Sequence, residues 1–142
     1  MDILVKVLEK DLKPITSAHD GEWIDLRSAE DVYMAPGDYR KIRLGVAMQL
    51  PEGYEGIIAP RSSTFSKWGI TMSGSIGVID NLFCGENDEW SFPAIAWKHT
   101  KIHKNDRICQ FRIVKSQPHI DIRYVDRLGN EDRGGFGSTG KD

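Results

Sequence analysis

Four short clusters in this sequence carry residues able to hold an anion, a nucleic base or a reacting water. The first, nearest the C-terminus, is Arg133-Gly134-Gly135-Phe136-Gly137-Ser138-Thr139-Gly140. Glycine has no Cβ to block approach, so successive N–H groups can converge on an anion. Ser138 and Thr139 add hydroxyl donors, and Arg133 adds a fork for phosphate oxygens. Phe136 offers a face on which a base can stack. On composition alone the same stretch also reads as a disordered terminus.

The second cluster, Ala59-Pro60-Arg61-Ser62-Ser63-Thr64, opens a short helical pattern. N–H groups at a helix start attract anions, which Arg61 and Ser62 would strengthen. The plainer reading is a serine N-cap beside a surface arginine. In the third, Gly77-Val78-Ile79-Asp80-Asn81-Leu82-Phe83, an acid follows an apolar strand and an aromatic stands three residues on. An aspartate at a strand end can act as general base toward water. A hairpin here can also present main-chain groups to a base edge, while a turn carboxylate with a core Phe is the alternative. The fourth is Asn105-Asp106-Arg107-Ile108-Cys109-Gln110. Strand alternation puts Ile108, Gln110 and Arg112 on one face and Cys109, Phe111 and Ile113 on the other. Gln110 on a half-buried strand needs a polar partner. Asp106-Arg107 reads as an ion pair.

The elements that must position these clusters are mostly strands. Two-residue alternation marks Ile3–Leu8, Trp23–Arg27, Tyr39–Val46, Ala47–Leu50, Glu55–Ala59, Ser91–Trp97, Arg107–Val114 and Ile120–Val125. Turn signals separate them, including Leu50-Pro51-Glu52-Gly53, read as a type I turn with Pro at the second position. One helix is expected over Ser62–Trp68, stopped by Gly69. Lys98–Arg107 reads as a solvated hairpin, and its His99/His103 pair lacks the glutamate of a zinc-protease pattern. The four tryptophans read as core or subunit contacts.

Composition bounds the rest. A chain of 142 residues is one domain, with about 129–142 as a flexible glycine-rich arm. Its net charge of −2 argues against nucleic-acid or anionic-membrane partners. No apolar run is long enough for a membrane span, and the first residues lack a signal-peptide pattern. Two cysteines make no disulfide framework and read as buried thiols. The expected location is the cytoplasm, and the expected fold is all-β: a jelly-roll, barrel-like domain with one short helix.

Taken together and in order, these clusters resemble the trimeric dUTPase family (deoxyuridine triphosphate nucleotidohydrolases), most closely the Gram-positive bacterial and phage type. Trp23-Ile24-Asp25-Leu26 resembles its first motif and Pro60-Arg61-Ser62 its second. Gly77 to Asp80 with Phe83 resembles the third, Asp106 to Gln110 the fourth, and Gly134 to Gly140 the fifth.

The resemblance implies a jelly roll that forms a homotrimer with shared active sites. It implies hydrolysis of dUTP to dUMP and pyrophosphate with Mg²⁺, which keeps uracil out of DNA and supplies dUMP for dTMP synthesis. By the same likeness Asp80 activates water and Gln110 helps align it. Arg61, Ser62 and Ser63 hold phosphates, with Asp106 bracing Arg61. Main chain at Gly77, Val78 and Ile79 reads uracil, and Phe83 stacks under the deoxyribose and excludes a 2′-hydroxyl. Asp25 holds metal-bound water. Residues 129–142 form a lid in which Phe136 covers uracil, while Arg133, Gly137, Ser138 and Thr139 meet the terminal phosphates.

The sequence also departs from the family pattern. Phe83 stands for Tyr, Gly74 for Asn and Asn105 for Gly, and Asn105 can still adopt the left-handed turn. Glu131 stands where the fifth motif has Arg. Asn87–Trp90 adds about two residues to a hairpin and reads as a trimer contact. Two other functions fit parts of the pattern: a dCTP deaminase-like enzyme of the same fold, and a dUTP-gated module that binds another protein.

Overall fold

Alternating apolar side chains can be buried on one face only if their strands pair, and the chain pairs nearly all of them. The structure is a computed structural model and describes residues 1–16, 21–135 and 140. Its elements are β1 (Leu4–Val7), β2 (Ile24–Arg27), β3 (Val32–Met34), β4 (Tyr39–Arg43), β5 (Val46–Gln49), β6 (Tyr54–Pro60), α1 (Thr64–Trp68), β7 (Ile70–Met72), β8 (Gly77–Ile79), β9 (Ser91–Ala96), β10 (Thr100–Ile102) and β11 (Arg107–Lys115). Every ladder is antiparallel. The sheet orders are β2-β11-β6-β8, β4-β9-β7, β1-β5 and β10-β3. This is the expected jelly-roll-like, nearly all-β architecture. No helix among the described residues is long and apolar enough to cross a membrane.

Inward residues of all but β1 join one core around Trp90, Phe92 and Phe111. Trp90 meets Phe111 edge to face at 5.2 Å. A Cβ on Gly56 would lie 3.1 Å from the Trp90 ring, so the bare backbone of β6 lets the indole seat against it. Asn87–Trp90 is therefore not simply a trimer contact. Trp90 fills the core, and the Glu89 carboxylate accepts from Arg43 Nε at 3.2 Å and the Gly45 N–H at 2.9 Å.

Several local expectations are corrected. The turn after β5 is Pro51–Tyr54, closed by Tyr54 N–H to Pro51 O at 3.1 Å. Gly53 sits at its third position with φ +80, which makes it type II rather than type I. Lys98–Arg107 is more than a solvated hairpin: it supplies β10, which pairs with β3, and buries Ile102. Asn105 does adopt the left-handed conformation, with φ +77. The register of β11 shifts between Arg107 and Cys109, so Ile108 and Cys109 are both buried and Ile108 leaves the face of Gln110. Ile120–Val125 forms no strand within the chain, and its apolar side chains are exposed. Cys84 is exposed; only Cys109 is buried. Trp97 is exposed and donates to Thr71 Oγ1 at 2.8 Å.

Candidate active site

Cross-strand register gathers the first group of site residues. Gln110 on β11 lies opposite Asp25 on β2 and opposite Ala59 on β6, so the three share the outer face of one sheet. Gln110 Nε2 donates to the Pro60 carbonyl at 3.0 Å, the partner its half-buried position requires. One residue later β6 ends and Arg61 begins the turn into α1.

Arg61 is held from three sides. Its Nε lies 3.0 Å from Asp25 Oδ1, its Nη1 donates to the Arg107 carbonyl at 3.0 Å, and its N–H donates to Thr64 Oγ1 at 2.8 Å. Asp25 is shared, since its Oδ2 lies 3.2 Å from Arg107 Nη1. The expected brace, Asp106, instead accepts the His103 N–H at 2.8 Å and closes the turn before β11. Asp25 reaches Arg61 because it stands beside β11 in register, which adjacency in sequence does not reveal.

Thr64 is the residue sequence reading missed. It is fully buried, and its hydroxyl donates to the Ile108 carbonyl at 2.8 Å while accepting from Arg61. That hydroxyl fastens α1 to β11. A Thr three residues after Arg61, able to make a local side-chain turn, was the available signal. Ser63 sits at the N-cap without a side-chain cap bond, and Ser62 is exposed beside Arg61. Gly69 closes the helix with φ +64, its N–H donating to Phe65 O at 2.7 Å.

The second group surrounds β8. This is the edge strand of its sheet, so one side of Gly77–Ile79 offers main-chain groups that no neighbouring strand takes. It is not half of a laddered hairpin, because β7 lies in a different sheet, β4-β9-β7. A Cβ on Gly77 would stand 2.8 Å from Met72 Cε and 3.3 Å from Ile58 Cβ, so glycine permits this packing. Val78 is 66% exposed and Phe83 38%, both large apolar groups facing out. Asp80 follows β8 in a tight turn, with Phe83 N–H to Asp80 O at 3.0 Å and Leu82 N–H to Asp80 Oδ1 at 2.8 Å. Asn81 pins that turn by donating from Nδ2 to the carbonyls of Pro51 at 2.9 Å and Tyr54 at 2.7 Å.

The two groups do not meet within one chain. Ile79 lies opposite Gly56, so Asp80 falls one residue further from Arg61. Six residues of extended chain between them span roughly 20 Å. Arg133 is exposed, far along the chain beyond β11. Phe136, Gly137, Ser138 and Thr139 lie outside the described residues.

Burial pushes the Cys109 thiol well up, with the Asp25 carboxylate adding to the rise and Arg61 opposing it. It is an inert core group and no nucleophile. Among the described residues no three His, Cys, Asp or Glu side chains cluster as a metal cage. Mg²⁺ suits such a site only as an ion carried by phosphates and waters.

The dUTPase family model matches residues 18–140. The chain belongs to the dUTPase family. This dUTPase is 53% identical over 140 residues to the SPbeta prophage-derived deoxyuridine 5'-triphosphate nucleotidohydrolase of Bacillus subtilis, covering 99% of each chain. It is 35% identical to the deoxyuridine 5'-triphosphate nucleotidohydrolase of Thermobifida fusca, over 96% of this chain and 77% of that one. Its fold matches a mutant Staphylococcus bacteriophage 80alpha dUTPase with dUpNHpp at TM-score 0.82 and 25% identity, over 99% of both chains. It also matches a mutant dUTPase from phage phi11 of S. aureus, described with a structural Mg(II) ion, at TM-score 0.76 and 20% identity over 90% and 99%. The family resemblance read from the five motifs is borne out, and relatives named nucleotidohydrolases make this chain an enzyme of that kind.

Proposed function

We propose that this dUTPase hydrolyses dUTP to dUMP and pyrophosphate at sites shared between chains of a homotrimer. The observation that carries this reading is the separation of roughly 20 Å between Asp80 and Arg61. A base that far from the phosphate-binding arginine becomes useful when a second copy brings its own Arg61 to it. The exposed Ile120–Val125 segment and the outward Val78 also leave apolar surface for another copy to cover.

In the assembled site, the carboxylate of Asp80 takes a proton from water. The water oxygen bonds to the α-phosphorus, the bridging α–β P–O bond breaks, and pyrophosphate departs. Arg61, Ser62 and Ser63 bind phosphate oxygens, and Gln110 orients the water beside them. Such chemistry depends on positioning and charge neutralisation. Mg²⁺, when bound, adds to that neutralisation on the triphosphate. Asp25 would accept from one of its waters while keeping Arg61 aligned.

Specificity follows from the free edge of β8. A main-chain N–H suits uracil O4 and a C=O suits N3–H, whereas cytosine presents the opposite pattern and leaves buried groups unpaired. Phe83 supplies a ring face against the deoxyribose, where a 2′-hydroxyl would clash. Arg133, Phe136, Gly137, Ser138 and Thr139 form the proposed lid over base and terminal phosphates. The work fits the cytoplasm, keeping uracil out of DNA and providing dUMP. The test is pyrophosphate release from dUTP, dCTP, dTTP and UTP. Release from dUTP alone is expected, and ammonia from dCTP would contradict the reading.

A further inference from the structure

The turn between β6 and α1 is bonded twice. Thr64 N–H donates to the Arg61 carbonyl at 3.1 Å, and Arg61 N–H donates to Thr64 Oγ1 at 2.8 Å. The same hydroxyl donates to the Ile108 carbonyl at 2.8 Å. It accepts and donates at once while fully buried, a double duty that suits a hydroxyl and that an aliphatic side chain of the same shape cannot perform. Helix capping does not account for it. The N-cap of the five-residue α1 is Ser63, whose side chain makes no cap bond. A capping oxygen accepts from N–H groups inside the helix, whereas Thr64 reaches back to Arg61, three residues before it.

The acceptors on β11 show what the arrangement holds. Successive carbonyls of a regular strand point to opposite sides of it. The register of β11 shifts between Arg107 and Cys109, and here two successive carbonyls serve the same turn. That of Arg107 accepts from Arg61 Nη1 at 3.0 Å, and that of Ile108 accepts from Thr64. Arg61 is thus gripped at both ends, its guanidinium directly and its main-chain N–H through Thr64. The guanidinium stands at the end of a long side chain, so a small turn of the main chain moves it far. Asp25 and the Arg107 carbonyl can hold the fork in register only while its base is fixed.

We infer that Thr64 is a positioning residue for Arg61: its hydroxyl fixes the main chain from which the guanidinium is aimed at phosphate. The inference rests on the proposed role of Arg61 toward the triphosphate. Thr64 itself touches no substrate, because its side chain is enclosed between α1 and β11.

The test is calorimetry of dUpNHpp binding to the full-length protein, with melting temperature measured alongside. Thr64→Val keeps the side-chain shape and removes the hydroxyl, and Thr64→Ser keeps the hydroxyl. The valine protein should bind dUpNHpp about tenfold or more weakly, since a misplaced fork loses its phosphate contacts. The serine protein should stay within about threefold of the native chain. In an Arg61→Ala background the same valine change should cost about twofold or less, because Thr64 acts through the side chain already removed. Thr64→Ala, which leaves room for a water between the Arg61 N–H and the Ile108 carbonyl, carries the comparison if the valine protein does not fold. A lower melting temperature with native dUpNHpp affinity would make Thr64 structural only and overturn the inference. So would an undiminished loss in the Arg61→Ala background, or a serine protein as weak as the valine one. Hydrolysis of dUTP is read separately. Thr64-dependent binding of dUpNHpp without hydrolysis would overturn the proposed activity and leave the positioning role standing.

Discussion

The side-chain amide of Asn81 donates to the main-chain carbonyl of Tyr54 at 2.7 Å, and to that of Pro51 at 2.9 Å. One residue thus ties the Asp80 turn to the turn between β5 and β6. That second turn is itself tied to the end of β11, through Ser116 N–H to Gly53 O at 2.9 Å. Removing the amide in Asn81→Ala strands two carbonyls and frees the carboxylate beside it. Stability should fall by about 1–2 kcal/mol. Turnover of dUTP should fall about tenfold or more, with KM less affected, because aim is lost more than binding. Unchanged turnover in a folded Asn81→Ala protein would remove Asn81 from the positioning of Asp80.

Asp25 separates two guanidinium groups, those of Arg61 and Arg107. Asp25→Ala leaves them facing each other with no carboxylate between. The ion pairs are partly solvated, so the stability change should be about 1 kcal/mol or less. The kinetic change should be larger, about tenfold or more in kcat/KM, since Arg61 loses its alignment. A large drop in melting temperature with unaltered kcat/KM would make Asp25 a structural residue only.

The two thiols should differ sharply. Cys84 is exposed, whereas Cys109 is buried and its thiol pushed well up by that burial. A thiol reagent should modify one cysteine per native chain and two per denatured chain. Two rapid modifications in the native protein would contradict the packing of β11 described above.

Acid should loosen the N-terminal segment. The hydrogen bond from Lys104 holds the Glu9 carboxyl below its ordinary value, against a smaller opposing effect of burial, and Arg43 lowers it further. A carboxyl lowered in the folded state stabilises the fold fully above its ordinary value, near 4.5, and ceases to do so as pH falls through the folded value. Glu9→Gln should therefore flatten the acid limb of a stability-against-pH curve and leave the slope near neutrality alone. An identical acid limb in both proteins would rule out this linkage.

Much of the candidate site was legible in the sequence because most of its residues lie at strand ends and turns, where residue type dictates local geometry. Asp80 with Phe83 and Arg61 with Ser62 belong here, whereas Gln110 lies within β11 and was marked by its polar side chain on a half-buried strand. What sequence could not show was set by register. Asp25 rather than Asp106 braces Arg61 because β2 pairs with β11 so that Asp25 faces Gln110. The bulge at Ile108 similarly breaks an alternation that the residues alone imply. Strands β3, β7, β8 and β10 have three residues each, too few for a period to register. Ile120–Val125 alternates like a strand, yet a strand needs a neighbour and a single chain provides none.

In the proposed assembly one chain's Asp80 works on a phosphate held by another chain's Arg61. Subunit mixing tests it most directly. Asp80→Asn and Arg61→Ala proteins, each inactive alone toward dUTP, are unfolded together and refolded at equal amounts. With random assembly, about a quarter of sites should pair an intact Asp80 with an intact Arg61, restoring activity in that proportion. A mixture as inactive as its parents, with mixed assemblies verified by mass, would contradict the shared site.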